Sequence, residues 1–301
     1  MKKYDIVLLT ESRYENPVNP DWYVKNILTE DGLVQGALEK HGLKVLRIDW
    51  NRKDFDWSST KYALFRTTWD YFDYFKEFDR WLEQSSGKLT FINSYNIIRW
   101  NMDKNYLIDM SENGINIAPT HLIKKRESKT LKQLFIQTGW SEAILKPTIA
   151  GAARHTYKLT LDSLDTISDT YASLVQDEDF LLQEFQYNIM KSGELSLMLF
   201  GGNFSHAVLK IAKPGDFRVQ DDFGGTVHEH IATDEEIEFA EKAVQACPDI
   251  PTYARVDIFR DNNNELALGE LELIEPELWF RNKPEAADML AQKIINQYFK
   301  N

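Results

Sequence analysis

Residues 4–10, Tyr-Asp-Ile-Val-Leu-Leu-Thr, are an almost unbroken apolar run that closes on polar residues. A strand covered on both faces reads this way, because neither face meets water. The texture returns at 44–50 (KVLRIDW) and at 61–69 (KYALFRTTW). Between and after these runs lie helical patterns. One spans 21–41 and stops at Gly42; the other spans 72–84, with Phe72, Phe75, Phe78, Trp81 and Leu82 at helical spacing. Strands alternating with helices predict βαβ units and a parallel sheet, an α/β fold at this end of the chain. Ligands of such sheets gather at the carboxyl ends of the strands. Here those ends are Thr10-Glu11-Ser12-Arg13, Asp49-Trp50 and Arg66-Thr67-Thr68-Trp69-Asp70.

After about residue 98 the texture becomes α+β. A helix over 102–114 carries Lys104 and ends at Gly114. A second, over 128–139, takes Ser128 as its N-cap and Gly139 as its stop. A strand then runs into Lys146-Pro147, followed by the small-residue loop 148–156. Strands at KLTL and at DFLLQEF (179–185) flank a helix over 163–175. Residues 194–212 read as a hairpin turning at Gly201-Gly202-Asn203. Thr233 and Glu236 have capping-box spacing, opening a helix over 233–247. A second hairpin turns at Asp261-Asn262-Asn263-Asn264, and 285–299 is an amphipathic helix. The expected units are 1–97, 98–185 and 186–301.

Charge and cysteine content exclude several functions. With 35 basic and 47 acidic side chains the net charge is −12, which disfavours nucleic acid and anionic membrane surfaces as partners. The single cysteine, Cys247, allows no disulfide within the chain and no thiolate metal cluster. No apolar stretch approaches the ~20 residues of a membrane span, and the N-terminal run is too short for a signal peptide. The expectation is a cytoplasmic protein. Of six histidines only His228 and His230 are close in sequence, with no third zinc ligand at a recognisable spacing.

The densest chemistry lies on the last hairpin. Glu270 and Glu272 are two apart and so share a strand face; Asp257 approaches them across the ladder if the turn falls at 261–264. Three carboxylates on one face repel unless something neutralises them, and hard cations such as Mg²⁺ do so. An acidic, solvated hairpin edge would read the same way. Lys104, Lys146, Lys210 and Arg218 are scattered cations, each by itself compatible with plain surface charge. The loop 148–156 matches neither a Walker motif nor GxGxxG. Gln183-Glu184-Phe185 ends an apolar strand, where backbone can meet an adenine edge under an aromatic cover.

Taken in order, these pieces resemble the ATP-grasp superfamily. They are Asp103-Lys104, Lys146-Pro147 before a small-residue loop, Gln183-Glu184-Phe185, Glu194, the 212–225 stretch, Asp257 and Glu270-x-Glu272. The 212–225 stretch, Ala212-Lys213-Pro214-Gly215-Asp216-Phe217-Arg218 through Gly224-Gly225, is similar to the bacterial glutathione synthetase and ribosomal-protein glutamate ligase branch. The RTTWDYF of 66–72 resembles the branch that contains the O-ureido-serine cyclo-ligase of cycloserine biosynthesis. The resemblance implies an ATP-grasp fold: a parallel-sheet domain followed by two α+β domains gripping ATP. It implies an ADP-forming ligase that joins a small carboxylate to an amine through an acyl phosphate. Lys104, Lys146, Gln183, Glu184, Phe185, Glu194 and Lys210 would bind ATP. Asp257, Glu270 and Glu272 would hold two Mg²⁺, or Mn²⁺. Arg218 would act on the transferred phosphate, and Arg66, Trp69 and Arg13 would bind the substrate. The chain departs from many relatives by carrying Glu272 where they have Asn, and Ala152-Ala153 in the loop where they have glycine or serine. A ligase for a peptide or protein carboxylate and a non-catalytic nucleotide-binding module are the competing readings.

Overall fold

The computed structural model describes residues 2–151, 154–213, 219 and 224–300. Three sheets organise them. The first contains β1 (Tyr4–Thr10), β2 (Val45–Asp49), β3 (Thr60–Thr67) and β4 (Thr90–Ile92), ordered β2-β1-β3-β4 with every pairing parallel. Its crossovers include helices at Trp22–Lys40 and Phe75–Ser86. The Asp21 carboxylate accepts from the Val24 N–H to cap the first of these. Gly42, at φ +80°, supplies the left-handed turn that stops it.

The second sheet is antiparallel, order β5-β8-β6-β7: β5 (Thr120–Ile123), β6 (Glu142–Pro147), β7 (Tyr157–Thr160) and β8 (Phe180–Glu184). Its helix at Leu131–Thr138 begins two residues later than the sequence suggests. Thr130, not Ser128, is the N-cap, because Gln133 completes a reciprocal capping box with it.

The third sheet has the order β11-β10-β9-β12-β13. Its strands are β9 (Glu194–Phe200), β10 (Asn203–Ile211), β11 (Thr226–His230), β12 (Tyr253–Arg260) and β13 (Leu266–Glu272). Both hairpin turns fall where the glycines and asparagines place them. The expected Thr233–Glu236 capping box opens the helix Asp234–Gln245.

The hydrophobic cores do not follow the expected unit boundaries. Ile97, at the end of the first expected unit, and Leu107, Met110 and Ile115 of the central one pack into the core of the third sheet with Leu197, Val256 and Leu271. Leu278, Phe280, Leu290 and Ile294, expected with the C-terminal unit, pack against Ile6, Leu8 and Leu64 of the first. Full burial of residues such as Leu290 and Ile294 is worth about 1.5–3 kcal/mol each, so the chain's end clamps the first sheet to the third. Asn93 adds a polar stitch, its amide donating to the Tyr253 and Leu273 carbonyls at 2.8 and 2.9 Å.

Candidate active site

A cleft of about 690 Å³ is lined by residues of all three sheets and their loops. Its floor is the β12–β13 hairpin. The antiparallel register sets Asp257 opposite Glu270 and Arg255 opposite Glu272. Residues two apart share a face, so all four side chains rise on one side. On the other side Val256, Ile258, Leu271 and Leu273 fill the core.

β13 is an edge strand, and its free backbone groups are taken up by side chains. The Asn101 amide donates to the Leu271 carbonyl at 2.7 Å, and the Leu273 N–H donates back to Asn101 Oδ1 at 2.9 Å. The Leu271 N–H donates to the Tyr106 hydroxyl at 2.9 Å. These bonds bracket Glu270 and Glu272 and fix how they are presented. Asn101 and Tyr106 carry no sequence signal for this role, because it depends on a contact about 165 residues away.

The charges are interleaved. Asp257 is buried and accepts from Ser196 Oγ and from Arg255 Nε at 2.9 Å, with Lys210 Nζ at 3.0 Å. Burial alone would raise this carboxyl, but Arg255 and Lys210 hold it well below the usual carboxylate range. Lys210 also pairs with Glu194, and Arg255 with Glu272. Burial pushes Glu194 and Glu272 up despite those partners. Glu270 faces Lys146 at 3.4 Å and Lys104 at 3.7 Å. The two lysines outweigh burial and hold it down to about 2. Burial lowers Lys146, with Glu270 opposing. Burial also pushes Glu275, at the strand's exit, up to about 8.

The second sheet and its loops form the roof. The Lys104 N–H donates to the Thr148 carbonyl at 2.8 Å and its Nζ to the Ala150 carbonyl at 2.9 Å, tying the loop after Lys146 to the Lys104 turn. Gln183, Glu184 and Phe185 line one end with Ile144 and Ile189. Their polar groups are partly committed. Gln183 donates to Thr120 Oγ1, the Glu184 N–H to the Pro119 carbonyl and the Phe185 N–H to the Glu142 carbonyl. Phe185 stacks under Lys158 Nζ, 3.8 Å from the ring centre.

The first sheet forms the facing wall, with Arg13, Tyr14, Tyr23, Trp69, Tyr71 and Phe72. Arg13 is largely exposed and paired with Glu11. Arg66 corrects the expectation placed on it. It does not line this cleft; it is 1% exposed and pairs with Asp31 at 3.3 Å, its guanidinium 5.4 Å from the Phe280 ring centre. Leu64 and Arg66 share the strand face that packs on the helix Trp22–Lys40 and the C-terminal segment, which turns Arg66 away from the cleft. Arg218, together with Ala152-Ala153 and most of 214–223, lies outside the described residues. Arg255 was missed by the sequence reasoning. Its signal was the alternation itself, since it stands two residues before Asp257.

Among the described residues no three carboxylates or imidazoles converge on one ion position, because each acid of the floor leans on a cation instead. The donor chemistry nevertheless fits Mg²⁺. Asp257, Glu270 and Glu272 are oxygen ligands on one face, and the cationic partners show that the face requires positive charge.

This architecture is the fold of the ATP-grasp ligases. Residues 6–93 match the family described as the N-terminal domain of D-cycloserine synthetase DcsG. The cycloserine biosynthesis protein DcsG of Streptomyces lavendulae is 25% identical over 267 residues, which cover 83% of this chain and 87% of that protein. The crystal structure of D-cycloserine synthetase DcsG has a TM-score of 0.82 at 23% identity, covering 97% of this chain and 99% of that one. A RimK domain ATP-grasp protein from Sphaerobacter thermophilus has a TM-score of 0.68 at 13% identity, covering 96% and 98%. The ATP-grasp ligase PsnB, complexed with a phosphomimetic variant of its minimal precursor, Mg and ADP, has a TM-score of 0.63 at 12% identity, covering 97% and 99%. No helix among the described residues is long and apolar enough to cross a membrane.

Proposed function

We propose that this chain is an ADP-forming ligase that activates the carboxylate of a small, amino-acid-like molecule as an acyl phosphate and passes the acyl group to an amine or similar nucleophile. One observation carries the reading. A single cleft places Lys104 and Lys146 above the acidic face of Asp257, Glu270 and Glu272, opposite a wall bearing Arg13 and Trp69. The lysines suit the phosphates of ATP, and Gln183, Glu184 and Phe185 suit its base. Glu194 and Lys210, paired with each other, line the same cleft. Asp257, Glu270 and Glu272 would hold two Mg²⁺ ions, which shield the triphosphate and stabilise the charge of phosphoryl transfer.

The residues divide the work. Lys146 and Lys104 now neutralise Glu270; with nucleotide present their charge is available to phosphate oxygens. Arg255, on the same strand face, holds Asp257 and Glu272 in register. The substrate carboxylate oxygen attacks the γ-phosphorus and the bond to ADP breaks. The nucleophile's lone pair then attacks the acyl carbon and phosphate leaves with the C–O bonding pair. The loop after Lys146, tied to Lys104, keeps water from the acyl phosphate. An open groove for a peptide would favour the competing substrate class, whereas aromatic side chains close this wall. The test is a screen of amino acids and derivatives for ATP-dependent release of ADP. A nucleotide product of AMP, or a requirement for a peptide acceptor, would reject the reading.

A further inference from the structure

We propose that Glu275 is the specificity-determining carboxylate that receives the ammonium group of the amino-acid-like substrate, an inference that rests on the ligase reading above. Each acid of the cleft floor has a cation at hand: Glu194 and Asp257 have Lys210, Glu270 has Lys104 and Lys146, and Glu272 has Arg255. Glu275 lines the same cleft, and among the described residues no other side chain donates a hydrogen bond or ion pair to its carboxylate. A half-buried carboxylate with no protein cation in ion-pair contact is a site for one brought by a ligand.

Its position is fixed from behind. The Trp69 indole N–H donates to the Glu275 carbonyl at 2.9 Å. Trp69 follows closely on β3, so the wall that bounds the substrate also sets where the Glu275 carboxylate stands. The surroundings suit a cation. Tyr14 and Tyr23 pack around Trp69 with ring centres at 6.0 and 6.2 Å, a group of π faces beside the acid. Arg13, exposed at the same wall, is placed for an anionic group of the same molecule. An acid and a cation facing one small space select a zwitterion over a simple carboxylic acid.

The experiment uses the full chain with Mg²⁺ and ATP, and hydroxylamine as a neutral nucleophile that traps an acyl phosphate as a hydroxamate. The acids are the proteinogenic L-amino acids, D-alanine and D-serine, each against its 2-hydroxy-acid analogue. The wild type should favour the amino acid over the hydroxy acid roughly 10- to 100-fold in kcat/KM, the value of a hydrogen-bonded charge pair. Glu275→Gln should lose that preference through the amino acid's KM, with KM for ATP and for the hydroxy acid unchanged. An unchanged thermal melt and ADP affinity would confirm that the variant is folded. Equal use of both acids by the wild type, or a preference retained by Glu275→Gln, would overturn the role of Glu275 and leave the ligase reading standing. Absence of hydroxamate from every acid would overturn both.

Discussion

Replacing Arg66 by alanine should cost stability and leave substrate affinity alone. Arg66 and Asp31 are each about 1% exposed at their side chains. Removing one partner of a buried ion pair costs about 3–5 kcal/mol, because the other charge is left in low dielectric. Asp31 keeps Arg47 at 2.7 Å and the Thr67 hydroxyl at 3.2 Å, so the lower end applies, about 3 kcal/mol. Lost packing on Phe280 acts in the same direction. Urea unfolding followed by tryptophan fluorescence should show a lower midpoint at an unchanged slope. Below the transition, KM for ATP and for the acid should match the wild type. An unaltered midpoint combined with a tenfold rise in KM for the acid would refute the assignment and restore Arg66 to the substrate wall.

Glu270→Gln should abolish ADP release while leaving the melting temperature near that of the wild type, since its carboxylate meets two lysines and no packed core; wild-type turnover would contradict this. A Cβ on Gly151 would stand 2.4 Å from the Phe72 ring, so Gly151→Ala should displace that ring and slow turnover, and Phe72→Leu in the same chain should restore the rate. His206, whose Nε2 bonds the Leu278 carbonyl at 2.9 Å, is lowered by burial to about 4. Between the ordinary histidine value and that one the unfolded chain binds the extra proton, so stability is full above about pH 6.5 and falls as pH drops toward 4, by at most about 3 kcal/mol. Denaturant midpoints across pH 4–7 should show this slope, and His206→Gln should flatten it.

Much of the fold could be read locally. Apolar runs bounded by polar ends marked β1 and β3, and glycine and asparagine clusters placed both hairpin turns. The i, i+2 spacing put Glu270 and Glu272 on one face, and the turn at 261–264 brought Asp257 opposite. What escaped was non-local. β3 is buried on both faces, so its apolar content could not say which face Arg66 shares. The core of the third sheet draws on Ile97 and Leu107, more than 80 residues before its first strand. Glu275 drew no notice, because an acid beside proline looks like loop charge until its neighbours are found paired and it is not.

The most direct test of the account follows oxygen. The acid that supports ADP release is labelled with ¹⁸O in its carboxylate, and the released phosphate is examined by ³¹P NMR. Transfer of the γ-phosphoryl group to that carboxylate predicts one ¹⁸O in each inorganic phosphate, with ADP as the nucleotide product. Unlabelled phosphate, or label carried into AMP, would contradict it.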